Sequence, residues 1–178
     1  MYALTTLFNF EDQPVFAEMW QKLQKKCGLV TANESSFVHL SWQGAQKYQL
    51  DLAREHLAEI AARMQAIPIK TAGIGLFTGS KPVLYLAVVK SPAVMHLHAT
   101  LWDRLHPLSH ELNAYYAPQD WVPHITLSYG MLLPADVSCA VAELMFEPLS
   151  VELRIDNLAL IYLQDGSIGI DSRFDFSG

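Results

Sequence analysis

The sequence predicts an α+β fold of two similar lobes, each a sheet backed by helices, in a single domain spanning residues 1–178. Three observations lead there. Segments of period-two and helix-period hydrophobicity alternate along the chain. The order strand, helix, motif strand, helix, proline, strand occurs twice, with Pro68 after the first motif and Pro148 after the second. The motif itself recurs, as His39-Leu40-Ser41 and His124-Ile125-Thr126. Side-chain identity between the halves is poor, so the repeat lies in the architecture, and no linker or low-complexity tract divides them.

Each element has a local reason. Tyr2 to Phe10 is rich in aromatic and β-branched residues and reads as an opening strand. Glu11-Asp12 before Pro14 starts a helix in which Phe16, Met19, Trp20 and Leu23 share a face, and Cys27-Gly28 stops it. The first motif strand runs from about Phe37 to Gln43. A second helix spans about Leu50 to Ala66, with Leu52, Leu57, Ile60 and Met64 on its apolar side and Pro68 ending it. Ile69 to Thr78 is a strand broken by Gly73 and Gly75. The turn Gly79-Ser80-Lys81-Pro82 leads to Val83 to Val89, apolar throughout like a strand buried on both faces. Ser91 caps and Pro92 opens a helix to about Leu105, and Pro107 breaks it before a shorter helical piece to Tyr115. The second motif strand lies within Val122 to Gly130. Pro134 to Met145 is helical, and strands follow at about Val151 to Ile155 and Leu158 to Gln164. Asp165-Gly166 then turns the chain into a closing strand, Ile168 to Phe176.

Composition narrows the function. Half of the residues are apolar, 51 %, so a sizeable core is available. The formal net charge of −6 argues against a broad clamp on long nucleic acid, which needs a basic face, but permits a small phosphoester in a cleft. No stable nucleic-acid complex and no membrane span is expected. The two cysteines, Cys27 and Cys139, fall inside helices and read as small apolar filler. With no disulfide framework and no signal-like start, a reducing cytoplasm is the expected location.

The chemistry resides in the two motifs. In a strand, His124, Thr126 and Ser128 point one way and Ile125, Leu127 and Tyr129 the other. His39 and Ser41 likewise oppose Val38, Leu40 and Trp42, so Trp42 and Tyr129 are assigned to the core. If both strands line a common cleft, two imidazoles flank one site with a hydroxyl beside each. Histidine titrates near neutrality, so one copy can take a proton while the other gives one. The hydroxyls can donate to the non-bridging phosphoryl oxygens, where charge concentrates. No metal or other cofactor is required. A 2′,3′-cyclic phosphate suits such a site, because ring strain and an internal leaving oxygen leave mostly proton management to the protein.

On these residues the chain resembles the 2H phosphoesterase superfamily, which includes bacterial 2′-5′ RNA ligase-like proteins and cyclic nucleotide phosphodiesterases. The matching pieces are His39-Leu40-Ser41, Pro123 to Leu127, Gly75-Leu76-Phe77, Pro82 to Leu86 and the helix from Leu97 to Leu105. The resemblance covers nearly the whole chain in order. It implies a pseudo-symmetric pair of antiparallel-rich lobes around a central cleft. It implies metal-independent opening of cyclic phosphates, or ATP-independent joining of RNA ends, and hence a role in RNA processing with a nucleotide or RNA-end phosphoester as substrate. By resemblance His39 and His124 are the acid/base pair and Ser41 and Thr126 bind phosphate. The assignment leans to His124 as base and His39 as acid in hydrolysis, reversed in ligation. Ligase-like members often carry an arginine where this chain has Tyr129, which favours a small phosphoester over RNA ligation. A noncatalytic nucleotide-binding module of the same fold is the competing class.

Other residues carry less. Tyr2 and Phe8 share a strand face, and one of them could stack on a base. Lys70, Arg154 and Arg173 lie on strands and read as exposed. His106 and His110 are four apart, but Pro107 intervenes and no HExxH pattern is present, so His56, His96, His98, His106 and His110 read as solvent-facing.

Overall fold

The structure is a computed structural model that describes residues 1–9, 14–31, 37–130, 132–164 and 167–177. Nine strands form one sheet: β1 (Tyr2–Leu7), β2 (His39–Tyr48), β3 (Ile67–Phe77), β4 (Val83–Val88), β5 (Ser109–Leu112), β6 (His124–Tyr129), β7 (Glu152–Ile155), β8 (Asn157–Gln164) and β9 (Ser167–Asp175). Among the described residues the α-helices are α1 (Pro14–Cys27), α2 (Leu50–Ala61), α3 (Pro92–Leu105) and α4 (Pro134–Leu144). The sheet order is β7-β3-β4-β6-β2-β1-β8-β9, with β5 on the other part of β2. The named strands pair antiparallel throughout. A four-stranded lobe, β7-β3-β4-β6, and a five-stranded one, β2-β1-β8-β9 with β5, therefore meet where β6 lies beside β2, and these are the two motif strands.

The helices form where their apolar spacing and ends allow. Phe16, Met19, Trp20 and Leu23 of α1 are buried on one stripe. In α3 the Ser91 hydroxyl accepts from the Val94 amide at 3.3 Å and Pro92 occupies the first turn. In α4 the Asp136 carboxylate accepts from the Leu133 amide at 2.8 Å. Ala53, Leu57 and Ile60 of α2 face the core, whereas Leu52 stands 44 % exposed on the far side. That helix stops at Ala61 and Pro68 does not end it. Pro68 is instead the second residue of β3, opposite Arg154 of β7 and ahead of the β4 pairing that begins at Thr71. A strand tolerates proline at such a position.

Several further expectations change. The segment after α3 is not a helix to Tyr115 but two short 3₁₀ turns, His106–Leu108 and Ala114–Tyr116, around β5. Strand β4 is buried on one face only: Leu84, Leu86 and Val88 enter the core while Val83, Tyr85 and Ala87 stay half-buried. Its apolar run reflects a strand with one face on the core and one on a cleft. Cys27 and Cys139 are not filler. They form a disulfide across 112 residues, because α1 and α4 pack side by side. The Glu11-Asp12 helix start and the Asp165-Gly166 turn lie outside the described residues.

Beneath the junction of the lobes lies an aromatic stack. The His98 ring lies parallel to Trp121 at 3.9 Å, and Trp121 stacks on Trp42 at 5.3 Å. His98 is thus 1 % exposed and not solvent-facing, and its burial holds its pKa below the ordinary histidine value. Trp42 donates to the Thr6 hydroxyl and Trp121 to the Ser41 carbonyl, both at 3.0 Å. These bonds satisfy two buried indoles and fix the backbone of β2 next to its motif.

Candidate active site

Leu40 and Ile125 are paired across β2 and β6, and both are fully buried. Their neighbours must then project from the other face of the sheet. Continuing the antiparallel register by one residue sets His39 opposite Thr126 and Ser41 opposite His124. The histidines are diagonal neighbours on one face, a relation that places such residues roughly 7–8 Å apart with their Cβ atoms somewhat closer. Both line one cavity of about 750 Å³, together with Thr126, Lys81 and Tyr129. A long-range relation that no local pattern could supply is thereby met.

The two imidazoles are held alike. His39 Nδ1 lies 2.6 Å from the Phe37 carbonyl and His124 Nδ1 lies 2.7 Å from the Val122 carbonyl. A carbonyl can only accept, so each Nδ1 carries the proton and each Nε2 keeps its lone pair when the ring is neutral. Burial lowers the pKa of His39, against the carbonyl bond that raises it. Burial also lowers that of His124, and the nearby charge of His39 lowers it further. Burial thus favours the neutral form of both rings in the empty site.

The walls differ. The Phe77 ring meets His124 edge-on at 4.8 Å, and Tyr85 lies 5.2 Å from His124 and 4.3 Å from Phe77. Gly75 makes room for this arrangement, since a Cβ there would collide with the Tyr85 ring. On the His39 side, Leu7 of β1 is its partner across the ladder. The buried Asn157 amide donates to the Leu7 carbonyl at 2.8 Å and accepts from the Leu7 amide at 3.0 Å. One side chain thus completes the ladder where β1 ends.

The hydroxyls are not equivalent. Thr126 lines the cavity. Ser41 is 8 % exposed and stands outside the cavity lining; burial raises the pKa of the nearby Tyr116, and the Ser41 side chain partly offsets that rise. Tyr116 rests over β2 because Gly44 leaves space: a Cβ there would stand 3.2 Å from its ring. Tyr129 faces the cavity, 44 % exposed, and not the core. The cause is a register shift between Leu84 and Tyr85 in the β4–β6 ladder, which pairs Leu84 with Ser128 but Tyr85 with Thr126. Beyond it the alternation inverts: Ser128 is 1 % exposed and donates to the Val30 carbonyl at 2.6 Å. Trp42 is in the core as expected.

A second cavity, about 740 Å³, adjoins the first and shares His124, Ser80 and Lys81 with it. Tyr115, Tyr116, Asn113 and Phe77 are among its walls. Tyr2 and Phe8 do not join the histidines. Tyr2 packs on Tyr162 at 6.4 Å, and Phe8 lines a different cavity with Asn9, Pro68 and Arg154. Lys70 and Arg154 are exposed, and Arg173 pairs with Asp175 at 2.8 Å. His110 stands 3.6 Å from Glu111 at the surface. Among the described residues no group of three histidine, cysteine or acidic side chains could hold a metal ion. Also among them, no helix is long and apolar enough to cross a membrane.

Sequence reasoning misses Phe77, Ser80, Lys81, Tyr85 and Tyr116 as wall residues. Only the hairpin signal at Gly79 to Pro82 is available to it, and that does not tell which strand β4 will join.

A family model described as the 2′-5′ RNA ligase superfamily matches residues 12–167. No curated protein matches the chain by sequence. Among solved structures, the protein TT0787 of Thermus thermophilus aligns with a TM-score of 0.65 at 16 % identity, over 98 % of this chain and 97 % of that one. E. coli LigT, solved with NADP+, aligns at 0.60 and 13 % identity, over 99 % and 97 %. Usb1 of Kluyveromyces marxianus aligns at 0.57 and 7 % identity, over 98 % and 97 %. At these identities the likeness is one of fold.

Proposed function

The chain belongs to the 2′-5′ RNA ligase superfamily, within the 2H phosphoesterases, and from that premise we propose that it hydrolyses a cyclic phosphodiester, a 2′,3′-cyclic nucleotide or RNA end. The reading rests above all on one observation: two histidines, each tied through Nδ1 to the carbonyl two residues before it, share one cavity. Each keeps a free Nε2 for proton transfer.

A water molecule attacks phosphorus in line with the ring oxygen that will leave. One Nε2 removes a proton from that water as the new P–O bond forms. The other imidazole, protonated, delivers a proton to the departing oxygen as the old P–O bond breaks. The product is a phosphomonoester with one ribose hydroxyl freed. Burial disfavours imidazolium in the empty site, so the phosphodiester's own negative charge draws the required proton onto the acid. Thr126, in the cavity wall, donates to a non-bridging oxygen, whereas Ser41, across the ladder from His124, is buried outside the lining and backs the strand. No step calls for a metal ion. That LigT has been solved with NADP+, ATP and 3′-AMP supports a nucleotide-sized ligand for this cleft.

The test is His39→Ala and His124→Ala, assayed on a panel of 2′,3′-cyclic nucleotides with chelator present. Each variant should lose about 10²- to 10⁴-fold in kcat while its thermal unfolding stays near that of the wild type. Unchanged turnover in both would remove the mechanism. Nucleotide binding with no turnover of any cyclic ester by the wild type would make the chain a binding module instead. A cytoplasmic location belongs to the same proposal, and there glutathione and thioredoxin would hold Cys27 and Cys139 as thiols. Rapid alkylation of cells followed by mass measurement should then find both modified; a bonded pair would point to an oxidising compartment.

A further inference from the structure

We propose that Lys81 is the cation that binds the substrate phosphate and sets the charge of the site, an assignment that rests on the phosphoesterase reading. Four observations point to it. First, Lys81 lines both cavities that meet at His124, so a phosphate beside that ring lies within its field whichever way the organic groups extend. Second, among the described lining residues of either cavity it is the one lysine or arginine. Third, among the described residues no carboxylate forms an ion pair with it. Fourth, its position is anchored, because the turn carrying it ends at Val83, which pairs with Tyr129 of β6.

Charge arithmetic makes such a residue necessary. The whole chain carries a formal charge of −6, which repels an anionic ligand at long range. Burial disfavours a positive charge on either histidine, and Asp120 in the wall of the second cavity adds a negative charge. A phosphodiester monoanion entering between neutral imidazoles and aromatic walls would be desolvated without compensation. The Lys81 ammonium compensates it, as a point charge on a flexible stem that can follow the phosphoryl oxygens through the reaction. In the same act it disfavours double protonation of the pair, keeping one imidazole available as base.

The experiment compares the full chain with Lys81→Met and Lys81→Arg. Three readings are taken: turnover of a 2′,3′-cyclic nucleotide, affinity for a nucleoside 3′-monophosphate at low and high salt, and the pH profile. Lys81 is exposed on a turn, so thermal unfolding should be the same in all three proteins. Lys81→Met should lower kcat/KM and monophosphate affinity by about tenfold or more, and the salt dependence of binding should flatten. Its acid limb should move to higher pH, because one positive charge has left the histidines. Lys81→Arg should recover most of the loss. If affinity, salt dependence and pH profile are unchanged in Lys81→Met while turnover still needs His39 and His124, Lys81 is a solvated surface charge and only this assignment falls. If the wild type turns over no cyclic ester but binds the monophosphate through Lys81, hydrolysis falls and the phosphate contact stands. If it neither binds nor turns over, both fall.

Discussion

The tie from Nδ1 to a carbonyl does two things for each candidate histidine. It selects the tautomer, and it fixes the ring so that Nε2 alone is free to exchange protons. It also favours the imidazolium, yet burial outweighs it at both positions and the net shift is downward. The sign of the pH response follows. The base must be neutral to act, so kcat/KM declines on the acid side as pH falls through the base's pKa. That pKa is below the ordinary value of about 6.5, so the decline should be centred below pH ~6.5. A midpoint at or above pH 7 in the free enzyme would contradict this account of the site. Folding stability carries the same sign. The unfolded chain takes up protons near pH ~6.5 while the folded rings resist, so stability is full above that value and lessens as pH falls towards the folded pKa. A urea series across this range should show the midpoint decreasing on the acid side. The buried His98 contributes in the same direction.

Among the elements, β3 and β4 make the wall of His124, and Gly75 is the point on which that wall depends. The Tyr85 ring lies over Gly75, pressed between Phe77 and His124. Gly75→Ala should force the ring out of this place, at a cost of about 1–3 kcal/mol, and should lower turnover by loosening His124. Tyr85→Ala in the same chain removes the collision, so the double variant should be more stable than the sum of the two single effects. Simple additivity in urea unfolding would show that the ring is not held there. Strand and helix signals make much of this architecture legible beforehand. The His-x-Ser/Thr alternation is local, as are the Ser91 cap and the Pro134-Asp136 helix start. Alternation alone misplaces Tyr129 and Ser128, because Leu127 is an extra residue on β6 with none opposite it between Leu84 and Tyr85, and only the pairing with β4 shows it. Lys81 escapes notice because a turn gives no sign of the site it will overhang. Pro68 has the look of a terminator, though a stretch of β3 not yet paired with β4 accepts it.

The whole molecule sets the two histidines together by joining a four-stranded and a five-stranded lobe at β6 and β2. One residue pair, Leu40 with Ile125, marks their ladder, against six for β1–β2 and five for β4–β6. The junction is thus short in backbone pairing, and other contacts must keep the lobes in register. One such contact runs between α1, which precedes β2, and α4, which follows β6. Cys27 is bonded to Cys139, Lys26 pairs with Glu143 at 2.6 Å, and Lys22 pairs with Glu147. Neither ion pair is deeply buried, so each adds little, and the covalent link dominates. Nothing in the isolated sequence joins those cysteines, since their approach depends on how the two helices pack. With a sequence separation of 112, the bond removes chain entropy from the unfolded state worth up to about 5 kcal/mol. Reduction, or Cys27→Ser with Cys139→Ser, should lower unfolding stability by about 2–5 kcal/mol, measured in urea at one pH with and without reductant. Equal urea midpoints in the two states would mean that core packing alone, around Leu40 and Ile125, keeps the histidines facing one cavity.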